Sequence, residues 1–147
     1  MYVIKTEASF DSAHFLHGYV GKCGNIHGHR WRIVLEICQD ELSEEVQSRG
    51  MVVDFTELKA DLKALADYLD HCLIIEEGTL KPATLAALGD EGFRIVSLPF
   101  RPTAENFAKY IYDQMSGKGY RVNRAVVYET PRNCAAYSKD GEISYEL

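Results

Sequence analysis

Hydrophobic and polar residues alternate through the first third of the chain, and the alternation predicts two long strands. In residues 2–10, Tyr2, Ile4, Ala8 and Phe10 share one parity while Lys5 and Glu7 take the other, as in a half-buried strand. Continued through Ser12, the same parity brings His14 to the Phe10 side. A glycine-rich connection (17–24) follows, and then His27, His29, Trp31, Ile33, Leu35 and Ile37 fall on one face, with Arg30, Arg32 and Glu36 on the other. Two imidazoles therefore begin a row that becomes core, at the rim of the packed interior. Pairing the two strands as a hairpin sets His14 across from them.

Beyond this pair the pattern changes period. The polar stretch 39–50 reads as a loop at a sheet edge, and Met51–Phe55 as a short strand running into a helix. Asp54 with Glu57 three residues on has the form of a capping box, and Phe55, Leu58, Leu62, Leu65 and Leu69 make one apolar stripe up to about Leu69. Residues 72–101 suggest a short helix near Pro82–Leu88, a turn at Gly89–Gly92 and an extended Phe93–Leu98. Thr103 is the expected cap of a second amphipathic helix with Phe107, Ile111 and Met115 inward and Gly117 as its stop. Arg121–Thr130 reads as a strand with Val122, Val126 and Tyr128 on one side and Glu129 on the other, and Asp140-Gly141 as a hairpin turn. These elements predict an α+β fold in one domain over residues 1–147: an antiparallel, four-stranded sheet with two helices on one face.

Composition narrows the classes. At 147 residues, 46% of them hydrophobic, the chain can bury a core without disulfides. A formal charge of −6 argues against a general nucleic-acid binder, which carries a basic face. No apolar run approaches the roughly 20 residues of a membrane span, and the N-terminus lacks the sections of a signal peptide. The four cysteines, Cys23, Cys38, Cys72 and Cys134, have no framework spacing and read as reduced thiols, which points to the cytoplasm.

The chemistry concentrates in Cys23-Gly-Asn-Ile-His27-Gly-His29. Two imidazoles two residues apart on one strand face can share a metal ion. With His14 from the neighbouring strand they make a three-histidine set suited to zinc, which in catalytic sites keeps three protein ligands and an open position. His17 is a spare donor in the loop. Cys23 has three readings: a fourth ligand closing a structural site, a small buried residue, or a reactive thiol. Asp70-His71 at a helix end is either a dipole partner or an oriented imidazole fit for proton transfer. Taken alone, Glu129 reads as a solvated carboxylate.

Together the motifs Phe10-Asp-Ser-Ala-His14, Cys23-Gly-Asn-Ile-His27-Gly-His29, Val53-Asp54-Phe55, Leu69-Asp70-His71, Pro102-Thr103-Ala-Glu105-Asn106 and Tyr128-Glu129-Thr130 resemble, in order, those of the 6-pyruvoyl- and 6-carboxy-tetrahydropterin synthase family. The resemblance implies the tunnelling fold, in which the sheets of several subunits close into a barrel, usually a homohexamer with sites between subunits. It implies zinc on His14, His27 and His29, Cys23 as catalytic base, and Asp70 with His71 as the partner proton relay. It further implies Glu129 as the anchor of the pterin ring, with Thr103 and Glu105 lining its pocket. The implied substrate is the small molecule 7,8-dihydroneopterin triphosphate, with Lys22, Arg30 and Arg101 as candidates to meet the triphosphate. The cysteine-histidine stretch looks like the carboxy-forming pattern, whose reaction releases acetaldehyde and triphosphate on the way to queuosine and other deazapurines. The pyruvoyl-forming branch is the alternative. A reading of another class is a non-catalytic, zinc-stabilised oligomeric protein in which Cys23 closes the metal shell. The segment 72–101 is longer than in compact members of the family.

Overall fold

The computed structural model describes residues 1–141, and its sheet is built on the two long strands. β1 (Tyr2–His14) and β2 (His27–Gln39) pair antiparallel along their full length, with Phe10 opposite Trp31 and His14 opposite His27. A single 3-10 turn (Lys22–Gly24) lies in the connection between them. The remaining elements are α1 (Phe55–Leu69), β3 (Leu73–Glu76), α2 (Pro82–Asp90), β4 (Ile95–Leu98), α3 (Ala104–Gly117), β5 (Val122–Tyr128) and β6 (Cys134–Tyr137).

The sheet has six strands in the order β4-β3-β1-β2-β5-β6, not the expected four. It is mixed, because β3 runs parallel to β1 and β4 parallel to β3. Ile74 and Ile75 are both fully buried, so β3 is covered on two faces and shows no alternation to read. The expected strand at Met51–Phe55 does not form. Val52 and Val53 pack against the core from a bent segment, and Asp54 caps α1 by accepting a hydrogen bond from Thr56 N–H at 2.8 Å.

α1 and α3 cover one face of the sheet, as expected. Leu58, Leu62, Ala66 and Leu69 from α1 meet Phe107, Ala108, Ile111 and Met115 from α3 over Phe10, Trp31, Ile33, Leu35 and Ile37. Phe55, expected in the stripe, is exposed. A third helix, α2, buries none of its residues. α3 runs through Gly117, the expected stop, with Lys118 as its C-cap, and the chain turns away at Gly119, which takes φ 98°. In β5 the side chains shift parity: a bulge opposite Glu36/Ile37 sends Val122, Ala125 and Val127 into the core and Val126 to the other face. The Asp140-Gly141 turn leads into residues 142–147, which lie outside the described residues. No helix among the described residues is long and apolar enough to cross a membrane.

Candidate metal centre and acid-base pair

The end of β1 and the start of β2 bring His14, His27 and His29 together. Their ring centroids form a near-equilateral triangle with sides of 4.6, 4.9 and 5.1 Å. Beneath them lies Trp31, fully buried, with His14 and His29 edge-on to it at 4.9 and 5.3 Å. Trp31 is in turn packed between Phe10 and Phe107, so the core itself forms the floor of the cluster.

Two backbone carbonyls fix the rings. His14 Nδ1–H donates to the Pro102 carbonyl and His27 Nδ1–H to the Asn25 carbonyl, each at 2.7 Å. Both rings then present bare Nε2 lone pairs, and these lie 3.1 Å apart. Two lone pairs at that separation repel unless a cation lies between them, and nitrogens on a tetrahedral zinc ion stand roughly 3.3 Å apart. His29 Nε2 is buried without a hydrogen-bond partner, 3.7 Å from Glu129 Oε1. One ligand atom from each of the three rings lies within 4.8 Å of the others. An orphaned nitrogen and two facing lone pairs fit a metal ion.

The protonation states agree. Burial pushes His14 down from 6.5 to about 4, against the opposing pull of the Pro102 carbonyl, and the neighbouring imidazoles lower it further. Burial also lowers His29, while Glu129 opposes. Both rings are neutral at pH 7, the state in which imidazole binds metals.

Cys23 stands outside this cluster. The metal-competent set among the described residues is the three histidines alone, and Cys23 is a free, half-buried thiol. Its loop is folded on itself, with Leu16 N–H donating to the Cys23 carbonyl at 2.8 Å. Gly24 is required there, because a Cβ would sit 2.6 Å from the Tyr19 carbonyl oxygen. His17 is exposed, and its carbonyl accepts from Arg101 at 2.9 Å.

Asp70 and His71 form a pair on the far side of β1. His71 Nδ1–H donates to Asp70 Oδ2 at 2.7 Å, and Asp70 Oδ1 accepts from Asp11 N–H at 2.7 Å. Those two hydrogen bonds, the Asp11 amide first, hold the Asp70 carboxyl below its ordinary value, and the carboxylate raises His71. His71 borders a cavity of about 490 Å³ with walls that include Ile26, Leu88 and Phe93. Asp11 acts here through its backbone amide, a part that residue type does not reveal.

Glu129 lies just past β5, and the bulge that shifts the strand's parity is what turns it toward His29. It borders a cavity of about 360 Å³ together with Ser9, Arg30, Arg32 and Tyr128. Thr103 caps α3, its hydroxyl accepting from Asn106 N–H at 3.3 Å, and adjoins the Pro102 carbonyl that orients His14. Glu105 is exposed in the first turn of α3. Of the cationic candidates, Lys22 is exposed and Arg30 is paired with Asp11 at 3.3 Å.

Residues 3–140 match the family model described as 6-pyruvoyl tetrahydropterin synthase. A 6-carboxy-5,6,7,8-tetrahydropterin synthase of Haemophilus influenzae is 32% identical over 142 residues, covering 95% of this chain and 100% of the relative. Its namesake in Synechocystis is 32% identical over 139 residues, 93% of each chain. Among solved structures, an uncharacterised protein from Wolinella succinogenes has a TM-score of 0.77 at 22% identity, covering 94% of this chain and 98% of that one. The 6-pyruvoyl tetrahydropterin synthase of Plasmodium falciparum has a TM-score of 0.67 at 21% identity, covering 94% and 97%. These structures share the tunnelling fold with the present one. The sequence matches, over nearly the whole chain, place it in the 6-pyruvoyl tetrahydropterin synthase family.

Proposed function

We propose that this protein is a zinc-dependent 6-carboxy-5,6,7,8-tetrahydropterin synthase, a lyase that converts 7,8-dihydroneopterin triphosphate to 6-carboxytetrahydropterin, acetaldehyde and triphosphate in queuosine biosynthesis. The observation that carries the reading is the triangle of neutral imidazoles, two of them held with bare Nε2 atoms facing each other, beside the Glu129 carboxylate. The carboxy-forming branch is favoured because the H. influenzae relative bearing that name aligns over 100% of its length.

His14, His27 and His29 would hold the zinc. When bound, it supplies a Lewis acid that polarises oxygens of the substrate side chain. Glu129 accepts two hydrogen bonds from the amino group and ring nitrogen of the pterin, and so places the side chain. Cys23, as thiolate, takes a proton from the side chain. His71, with Nδ1–H committed to Asp70, exchanges protons through Nε2. Thr103 and Glu105 border the pterin from the start of α3. Cys23 and the Asp70–His71 pair both stand apart from the histidine cluster within one chain, which is in keeping with sites assembled between subunits of a cytoplasmic homohexamer.

The test is to incubate zinc-loaded protein, and Cys23→Ala beside it, with 7,8-dihydroneopterin triphosphate and to identify products by mass spectrometry. The expected result is 6-carboxytetrahydropterin with acetaldehyde, lost in the variant. A pyruvoyl product transfers the protein to the other branch. Absence of turnover in zinc-replete protein overturns the reading.

A further inference from the structure

Arg94, just ahead of β4, sends its guanidinium back to the C-terminal end of α1. Nη1–H donates to the Asp70 carbonyl at 2.7 Å, and Nη2–H donates to the Tyr68 carbonyl. The Arg94 carbonyl accepts from Leu73 N–H at 3.1 Å, so the residue is tied to this turn by side chain and backbone alike. The last carbonyls of a helix lack partners within it, and the last turn of α1 contains no basic residue. Arg94 supplies two donors and the cation that a helix C-terminus favours.

The Asp70 carbonyl and the His71 N–H belong to one peptide unit. Arg94 holds its oxygen, and the Asp11 carbonyl accepts its N–H at 2.6 Å. Directly after this doubly held peptide, His71 takes φ 51°, a left-handed conformation that non-glycine residues seldom adopt. The tilt of the peptide sets the direction of the imidazole, and hence whether Nδ1 reaches Asp70 Oδ2.

We propose that Arg94 is the positioning residue of the Asp70–His71 pair, clamping the peptide between them so that the imidazole stays on its carboxylate. The long segment between β3 and α3 then has a structural role, which is to carry this clamp to the site. The catalytic value of the clamp rests on the function proposed above; its effect on His71 does not.

The charged and titratable groups around His71 are Asp70 beside it, Asp11 on β1 with Arg30 paired to it, and Arg94; the Cys72 thiol is turned to the Leu69 carbonyl. Deleting a nearby cation by itself raises an imidazole pKa, whereas loss of the Asp70 hydrogen bond lowers it. The two effects differ in sign, which separates positioning from simple charge.

The experiment compares R94M and R94K with the parent in full-length, zinc-loaded protein, by NMR titration of His71, by kcat and KM, and by zinc content. In R94M the His71 midpoint is expected to fall toward the ordinary histidine value. kcat should drop between about tenfold and a hundredfold at nearly constant KM, with zinc content unchanged. R94K, whose ammonium cannot fork across two carbonyls, should recover part of both. A midpoint that rises or stays in place, with kcat intact, overturns the proposal even where the melting temperature falls, since Arg94 then only caps α1. If R94M does not fold, a parent-like midpoint and kcat in R94K overturn it equally. A parent without turnover defeats the functional reading, and the His71 titration still decides the role of Arg94.

Discussion

At His14 burial outweighs the favourable carbonyl of Pro102, so the ring is neutral when folded and titrates near 4, against 6.5 when exposed. A lowered folded value means that the unfolded chain binds the extra proton first. The metal-free protein should therefore be most stable above pH 6.5 and lose stability as pH falls from there toward about 4, as read by denaturant midpoints across that window. His71 runs the other way: Asp70 raises it, and Asp70→Asn should return its NMR midpoint toward the ordinary value. Cys23 is neither among the clustered donors nor buried in the core. On the proposed mechanism Cys23→Ala should lower kcat by roughly 10²–10⁴ while zinc content stays constant, a combination that a zinc-ligating thiol would not give.

Each element places one part of the site. α3 does so through its first turn: Thr103 accepts from Asn106 N–H, Asn106 Nδ2–H donates to the Arg101 carbonyl at 2.9 Å, and between them Pro102 offers its oxygen to His14. Thr103→Ala should cost about 1 kcal/mol in thermal or chemical unfolding. By loosening the Pro102 carbonyl it should also weaken zinc about tenfold in chelator competition. The two long strands and both amphipathic helices are legible in the sequence because each has one wet face, which writes a period of 2 or 3.6 into residue type. The three histidines are legible for the same reason, since they continue the parity of Phe10 and Trp31. β4 is legible as the extended Phe93–Leu98, with Val96 and Leu98 buried and Ser97 exposed, but β3 is not, because a short strand covered on both faces carries no alternation. Alternation alone puts Val122 and Val126 on one side, whereas the structure splits them, because the bulge at Glu36/Ile37 inserts one residue that periodicity does not anticipate. The contacts that orient the site, from Pro102, Asn25 and Asp11, come from backbone atoms, which are common to every residue type.

At the scale of the whole molecule, the core between the sheet and α1 with α3 is continuous, and among the described residues its one metal donor is Cys72. Leu62→Ala, at a fully buried position, should cost about 2–5 kcal/mol whether or not zinc is present. The opposite sheet face pairs Arg124 with Glu36 at 2.8 Å and Arg32 with Glu7 at 3.3 Å around the buried Val34 and Val126. If this face lines a barrel closed by other copies, native mass spectrometry should find the proposed hexamer. The most direct test of the metal centre is to strip zinc with a chelator and follow circular dichroism, melting and turnover together. A catalytic centre at the rim of an independent core predicts a folded, inactive protein that regains activity on adding zinc. Unfolding on chelation, or full turnover without metal, would contradict it.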